Sequence, residues 1–200
     1  MLKRNLFLAI IAATVLIFSA NVTIAKGLPE EGDGIFPSFG TGPVEVRIYA
    51  SYFCPPCRAL EPELEPLLEE LVETNKIQVT FVDVPMGQSA PYIHYFLYAL
   101  NNDKSMKNAF HVRHLLFDVA KAHGGPEDIR EAFKKEGVAY EPFDLTEVFL
   151  QFNQFLSEDS IRSTPSAAIH KDGKNKTISG GRNIIAAMEE LINNNNNNEE

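Results

Sequence analysis

Two stretches of the chain have the pattern of strands, and a helical pattern lies between them. Ile77–Val84 is a nearly continuous apolar run, as expected of a strand buried on both faces of a sheet, and Val44–Ala50 predicts a second strand. Between them runs a stripe of leucines with helical spacing: Leu60, Leu64, Leu67, Leu68 and Leu71. Strand, helix and strand in this order predict a parallel βαβ unit with a right-handed connection.

From residue 89 to about residue 159 the pattern becomes helical throughout. Four apolar stripes predict four helices, with these members: Tyr92, Phe96, Ala99 and Leu100; Phe110, Leu115, Leu116 and Val119; Ile129 and Phe133; Val148, Phe152, Phe155 and Leu156. Aromatic side chains are abundant in these stripes, which indicates core packing and not a cofactor site.

Alternating and helical patterns return after this block. Ala167–His170 and Lys176–Ser179 flank a turn and predict a β-hairpin. Gly180-Gly181 then leads into a last helix with one apolar face, formed by Ile184, Ile185, Met188, Leu191 and Ile192.

The chain has two cysteines, and they stand between the first strand and the first helix as Cys54-Pro55-Pro56-Cys57. A C-x-x-C that begins a helix places its first sulfur at the helix N-terminus, where unpaired N–H groups and the helix dipole favour a thiolate. The second sulfur lies one turn later, within reach to form or break a disulfide. This context of strand, short turn and amphipathic helix predicts a redox site.

Other roles for a cysteine pair are weaker here. A zinc site needs four ligands, and only scattered histidines are available, with His111 and His114 as the best candidates. Covalent haem attachment requires histidine after the second cysteine, where Arg58 stands. A purely structural disulfide in C-x-x-C closes too small a loop to stabilise much.

The N-terminus predicts export. Lys3 and Arg4 precede an apolar run from Leu6 to Phe18, and Thr23-Ile24-Ala25 supplies small residues suited to cleavage after Ala25. We therefore expect residues 1–25 to be a signal peptide, with an uncleaved N-terminal membrane anchor as the alternative. Either arrangement places the folded part outside the cytoplasm, where disulfides persist.

Composition changes this picture little. The formal net charge of −9 argues against nucleic acid as a partner. Residues 26–42 are rich in Gly, Pro and Glu and indicate a lead-in segment, and the Asn-rich residues 193–200 indicate a disordered tail. Several glutamates crowd the helix after the cysteines, and we interpret them as a solvated face: Glu61, Glu63, Glu65, Glu69 and Glu70.

The order of elements and three motifs resemble the DsbA-like family of thiol-disulfide oxidoreductases. The motifs are Phe53-Cys54-Pro55-Pro56-Cys57, Pro62 within the following helix, and Thr164-Pro165 before the hairpin. The resemblance implies an α/β thioredoxin-like fold over residues 43–192, with a central mixed sheet flanked by helices and an inserted helical subdomain at about 89–159. It also implies a cis bond before Pro165, packed beside the C-x-x-C, where Thr164 and Pro165 bind substrate.

The chain departs from this family at two positions. The family dipeptide often contains histidine, whereas Pro56 has neither a side-chain donor nor a backbone N–H. Family members also carry a buried acid six residues before the first cysteine, where this chain has Ile48. We expect Pro55 and Pro56 to tune the redox properties, and a carboxylate near the resolving thiol to be missing or supplied from elsewhere.

These features predict an extracytoplasmic enzyme that oxidises dithiols of exported proteins. Cys54 forms a mixed disulfide with the substrate and Cys57 resolves it, so the redox-active disulfide carries the electrons and no metal or other cofactor is expected. A membrane redox partner is expected to restore the active form. Reduction or isomerisation by the same site is an alternative, and a non-enzymatic thiol-based metal carrier is an alternative of another class.

Overall fold

The structure is a computed structural model that describes residues 36–193. The expected signal peptide, most of the lead-in and all but the first residue of the expected tail lie outside this range. The strands are β1 (Ser38–Phe39), β2 (Val44–Ala50), β3 (Ile77–Asp83), β4 (Ser166–Lys171) and β5 (Lys174–Ser179). The helices are α1 (Pro55–Glu73), α2 (Ala90–Asn102), α3 (Met106–Lys121), α4 (Pro126–Glu136), α5 (Thr146–Glu158) and α6 (Gly181–Asn193).

The five strands form one mixed sheet in the order β1-β3-β2-β4-β5. The central pair, β2 and β3, is parallel, whereas β1, β4 and β5 each pair antiparallel with a neighbour. This arrangement confirms the predicted thioredoxin-like fold and its parallel βαβ unit. The short strand β1 was not predicted, because two residues within the lead-in are too few to show an alternating pattern.

The active-site helix α1 packs against β3, α3 and α6. Its leucine stripe is buried, with Leu64, Leu68 and Leu71 fully covered, so the amphipathic pattern fixes which face meets the core. The helix continues through Pro62 and Pro66 without a break in its assigned range.

Helices α2 to α5 form the insertion between β3 and β4, where the sequence predicted four helices. Their aromatic stripes are core, as expected, since Phe96, Phe110, Phe133 and Phe152 have no exposed surface. Residues 36–193 include no helix with the length and apolar character needed to cross a membrane.

Candidate active site

Cys54 is the N-cap residue of α1, and the two prolines that follow occupy the first two helical positions, so these positions have no backbone N–H. Proline is favoured there because its missing N–H would have no intrahelical partner. Cys57 therefore supplies the first free amide of the helix, and its N–H donates to Cys54 Sγ at 3.3 Å. One backbone donor thus points at the sulfur.

The two sulfurs differ in exposure. Cys54 is half-buried, whereas Cys57 is 1 % exposed. Both are thiols in this structure, so the geometry describes the reduced pair. An attacking partner can therefore reach Cys54 more easily than Cys57.

The pKa values of the two thiols are displaced in opposite directions. A hydrogen bond with the Cys57 thiol lowers the pKa of Cys54 to about 6, helped by the Thr164 side chain and the Cys57 N–H and opposed by burial. The same hydrogen bond and burial raise the pKa of Cys57. At neutral pH the pair therefore holds a thiolate at Cys54 and a proton at Cys57.

The second motif meets the first in space. The Thr164–Pro165 peptide bond is cis, as the sequence predicted. The Thr164 carbonyl oxygen lies 3.5 Å from Cys54 Sγ and accepts a hydrogen bond from the thiol. The fold therefore brings together residues that are far apart in the chain, and all predicted site residues lie on Cys54-Pro55-Pro56-Cys57 or on the facing loop.

A buried ionic cluster includes one residue of the same helix, Glu61, which lies one turn beyond Cys57. Arg113 on α3 donates to Glu61 on α1, with Nη2 at 2.6 Å from Oε1, and to Asp83 at the end of β3, at 3.0 Å. The Tyr52 hydroxyl also donates to Asp83, at 3.0 Å. All four side chains are buried. We refer to Tyr52, Glu61, Asp83 and Arg113 as the Arg113 cluster.

The interpretation of Glu61 as a solvated residue is therefore wrong. Glu61 is 3 % exposed, because it follows Cys57 by one helical turn and shares the buried face of α1 with Leu64. Ile48, at the position of the expected acid, is itself buried, and the buried acids on this side of the sheet are Glu61 and Asp83 of the Arg113 cluster. Burial raises the pKa of Asp83, although Arg113 and Tyr52 oppose the change. Burial alone would lower the pKa of Arg113, but the carboxylates of Glu61 and Asp83 stabilise its charge and raise the pKa well above its ordinary value.

A largely apolar pocket of about 290 Å³ adjoins Cys54. It is lined by Ser51, Phe53 and Cys54 on one side and by Met86, Gly87 and Gln88 on the other. Met86 is 55 % exposed, which is unusual for a large apolar side chain. No pattern in the sequence indicated that residues 86–88 lie beside Cys54.

The histidines considered for a zinc site lie apart from the cysteines. His114 Nε2 is 3.3 Å from Glu65 Oε2, and His111 is exposed on the same helix. Among residues 36–193, no group of three or more histidine, cysteine or acidic side chains has the arrangement of a metal site.

Comparison with known proteins adds the family. The sequence matches the family described as Thioredoxin over residues 41–187. The chain belongs to this family. Membership confirms the predicted class of enzyme, a protein thiol-disulfide oxidoreductase. A comparison of the sequence with curated proteins found no significant match.

Three solved structures show the similarity of this fold to those of known proteins. A periplasmic thioredoxin-like protein from Salmonella enterica serovar Typhimurium has a TM-score of 0.59 and 18% identity, with 82% of this chain and 98% of that chain covered. The catalytic domain of Proteus mirabilis ScsC has a TM-score of 0.59 and 21% identity, covering 80% and 91%. Chlamydia trachomatis DsbA has a TM-score of 0.57 and 18% identity, covering 82% and 95%. These likenesses confirm the predicted DsbA-like thioredoxin fold.

Proposed function

We propose that this thioredoxin-family protein is an extracytoplasmic oxidant that introduces disulfides into exported proteins through Cys54 and Cys57. The observation that carries the proposal is the asymmetry of the pair. Cys54 is accessible and has a pKa of about 6, whereas Cys57 is buried with a raised pKa. An oxidant is a couple whose reduced form is stabilised, and a stable Cys54 thiolate has that effect.

The reaction proceeds by two thiol-disulfide exchanges. A substrate thiolate attacks Cys54 Sγ of the Cys54–Cys57 disulfide, so a mixed disulfide forms and Cys57 leaves and takes up a proton. The second thiolate of the substrate then attacks the substrate sulfur of this mixed disulfide, and Cys54 departs as a thiolate. The substrate gains a disulfide and loses two electrons, which remain on the reduced pair. Departure of Cys54 is fast because its low pKa makes it a good leaving group.

Substrate binding is assigned to the loop that faces Cys54. Thr164 and Pro165 precede β4, and their backbone lies beside the reacting sulfur, so an extended substrate segment is proposed to pair with them. Pro55 and Pro56 are proposed to tune the couple, since they leave the Cys57 N–H as the first amide donor of α1.

Export is supported by the N-terminal sequence and by the periplasmic location named for the Salmonella protein. A disulfide-forming enzyme needs re-oxidation after each turnover. We therefore propose a membrane redox partner, with the folded residues located outside the cytoplasm. The expected partners are exported proteins, held as transient mixed disulfides.

The test measures the direction of electron flow and the role of each thiol. The equilibrium potential of the Cys54–Cys57 couple against glutathione is expected between about −270 and −120 mV, and the oxidised protein should oxidise a reduced two-cysteine peptide. A potential at or below the lower value, with no peptide oxidation, would indicate a reductase. Tight binding of copper or zinc by a protein whose cysteines do not exchange with glutathione would indicate a metal carrier.

The two single-cysteine variants are matched controls. Cys57→Ser is expected to accumulate mixed disulfides, because its Cys54 thiolate can still attack a disulfide of an exported protein and no Cys57 thiol is present to attack Cys54 and release that protein. Cys54→Ser should accumulate none, since Cys57 is buried. Limiting alkylation of the reduced wild type should modify Cys54 first. Preferential labelling of Cys57 would reverse the assignment of the two roles.

A further inference from the structure

The loop that faces Cys54 begins at a buried carboxylate in a second polar cluster. Asp159 follows α5, and its side chain has no exposed surface. Four residues lie between it and Thr164, so Asp159 stands at the upstream end of the segment that presents Thr164 to the active site. A buried carboxylate without partners would be strongly destabilising, and its partners here are numerous.

Three strands supply those partners. From β2, Tyr49 donates its hydroxyl to Asp159 Oδ2, and Arg47 Nη1 lies at 3.3 Å from the same oxygen. From β5, Asn175 Nδ2 donates to Oδ1 at 3.0 Å. From β4, His170 Nε2 is 3.0 Å from Oδ1. The start of the segment is therefore fixed to the sheet through both carboxylate oxygens.

The backbone of Asp159 is also held. Its carbonyl accepts from the Thr177 hydroxyl at 2.9 Å, and its N–H donates to Phe155 O at 3.0 Å. The Arg47 guanidinium lies over the Phe155 ring, 3.6 Å from its centroid. Burial and the nearby Asp159 carboxylate raise the pKa of Tyr49, so its hydroxyl keeps the proton that it donates.

The downstream end of the segment is fixed by different residues. The Ser166 hydroxyl donates to Ser163 O at 2.8 Å and contacts Ser179 Oγ at 2.9 Å. Gly180 N–H donates to Pro165 O at 3.0 Å. Between the two ends, residues 160, 162 and 163 are exposed, whereas Ile161 packs against the core and its N–H donates to Leu156 O at 3.0 Å. The segment therefore takes its position from its two ends and from Ile161.

We propose that Asp159 is a positioning residue of the active site, which holds the segment 160–164 so that Thr164 meets the Cys54 sulfur. Asp159 touches neither thiol, and its effect passes through the backbone of this segment. The Thr164 side chain contributes to the low pKa of Cys54, so a displaced Thr164 leaves the thiolate less stable. The inference rests on the proposed role of Cys54 as the reacting thiol.

The test is a titration of the reduced protein, followed by ultraviolet absorbance of the thiolate. Asp159→Asn is expected to raise the pKa of Cys54 above about 6. Alkylation of Cys54 near pH 5 should slow about three- to tenfold, since a tenfold lower thiolate fraction corresponds to a pKa one unit higher. Val148→Ala is the control, because this buried residue lies near the start of α5, at the end of the helix opposite to Asp159. It should lower the melting temperature and leave the pKa unchanged.

Asn175→Ala is the second variant, in case Asp159→Asn does not fold. Asn175 is exposed, and the change removes one hydrogen-bond donor to Asp159, so a smaller rise in the Cys54 pKa is expected. Its control is Asn153→Ala, a change at an exposed position of α5. A Cys54 pKa equal to that of the wild type in folded Asp159→Asn, or in Asn175→Ala if Asp159→Asn does not fold, would overturn the inference. A wild-type Cys54 pKa near that of a free thiol would instead contradict the proposed function, so the two failures are distinguishable.

Discussion

Arg113 donates to both carboxylate oxygens of Glu61, with Nε at 3.1 Å from Oε2 and Nη2 at 2.6 Å from Oε1. One residue belongs to the helical insertion and the other to the active-site helix. Arg113 also donates to Asp83 and is fully buried. Two buried carboxylates thus depend on one buried guanidinium.

Arg113→Met is expected to destabilise the protein strongly. Removing the one cation leaves Glu61 and Asp83 buried without a counter-charge, which typically costs about 3–5 kcal/mol. Urea unfolding measures the loss. Arg130→Met is the control, since Arg130 pairs with the exposed Glu127, and a surface pair contributes little to stability. Equal losses in the two variants would contradict a dominant role for the Arg113 cluster.

The reduced protein is expected to lose stability as the pH falls. The folded pKa of Cys54, about 6, is below that of a free thiol, about 8.5, so the thiolate stabilises the folded state fully above pH 8.5 and not below pH 6. Because the sulfur is half-exposed, solvent screening reduces the contribution to about 1–2 kcal/mol. The measurement is the free energy of unfolding of reduced wild type relative to Cys54→Ser at both pH values. A constant difference would show that the thiolate is not stabilised by folding.

Pro56→His is expected to lower the pKa of Cys54 further and to make the couple more oxidising. The imidazole adds a donor near the sulfur, and histidine restores an N–H at the second position of α1. Titration of the thiolate and the glutathione equilibrium measure the two quantities. Pro56→Ala restores only the N–H and separates the two causes. If Pro56→His leaves both quantities unchanged, the dipeptide does not tune this site.

The elements of the fold were accessible from the sequence because their apolar patterns are long. The stripes of α2 to α5 and the strands β2 and β3 follow periodicities that survive without tertiary information. The pairing of Cys54 with the Thr164–Pro165 bond came from resemblance, since no pattern along the chain relates residues so distant in sequence.

The burial of charged residues inside the core was not predicted from the sequence. Glu61 lies next to Leu60 on the buried stripe of α1, and Arg113 lies between Val112 and Leu116 on α3, so each interrupts an apolar face. A charge within such a stripe signals a buried pair. The partner across the fold cannot be identified from one sequence, because it depends on how the helices pack. Asp159 was missed for the same reason, since its partners come from three strands.

The Arg113 cluster has a consequence for protein engineering. Glu61 and Asp83 belong to the thioredoxin-like part, and both accept hydrogen bonds from Arg113, a residue of the insertion. Deleting the insertion, or exchanging it for that of a relative, would leave Glu61 and Asp83 buried without a counter-charge. A minimal domain or chimera of this protein must therefore replace Glu61, Asp83 and Arg113 together.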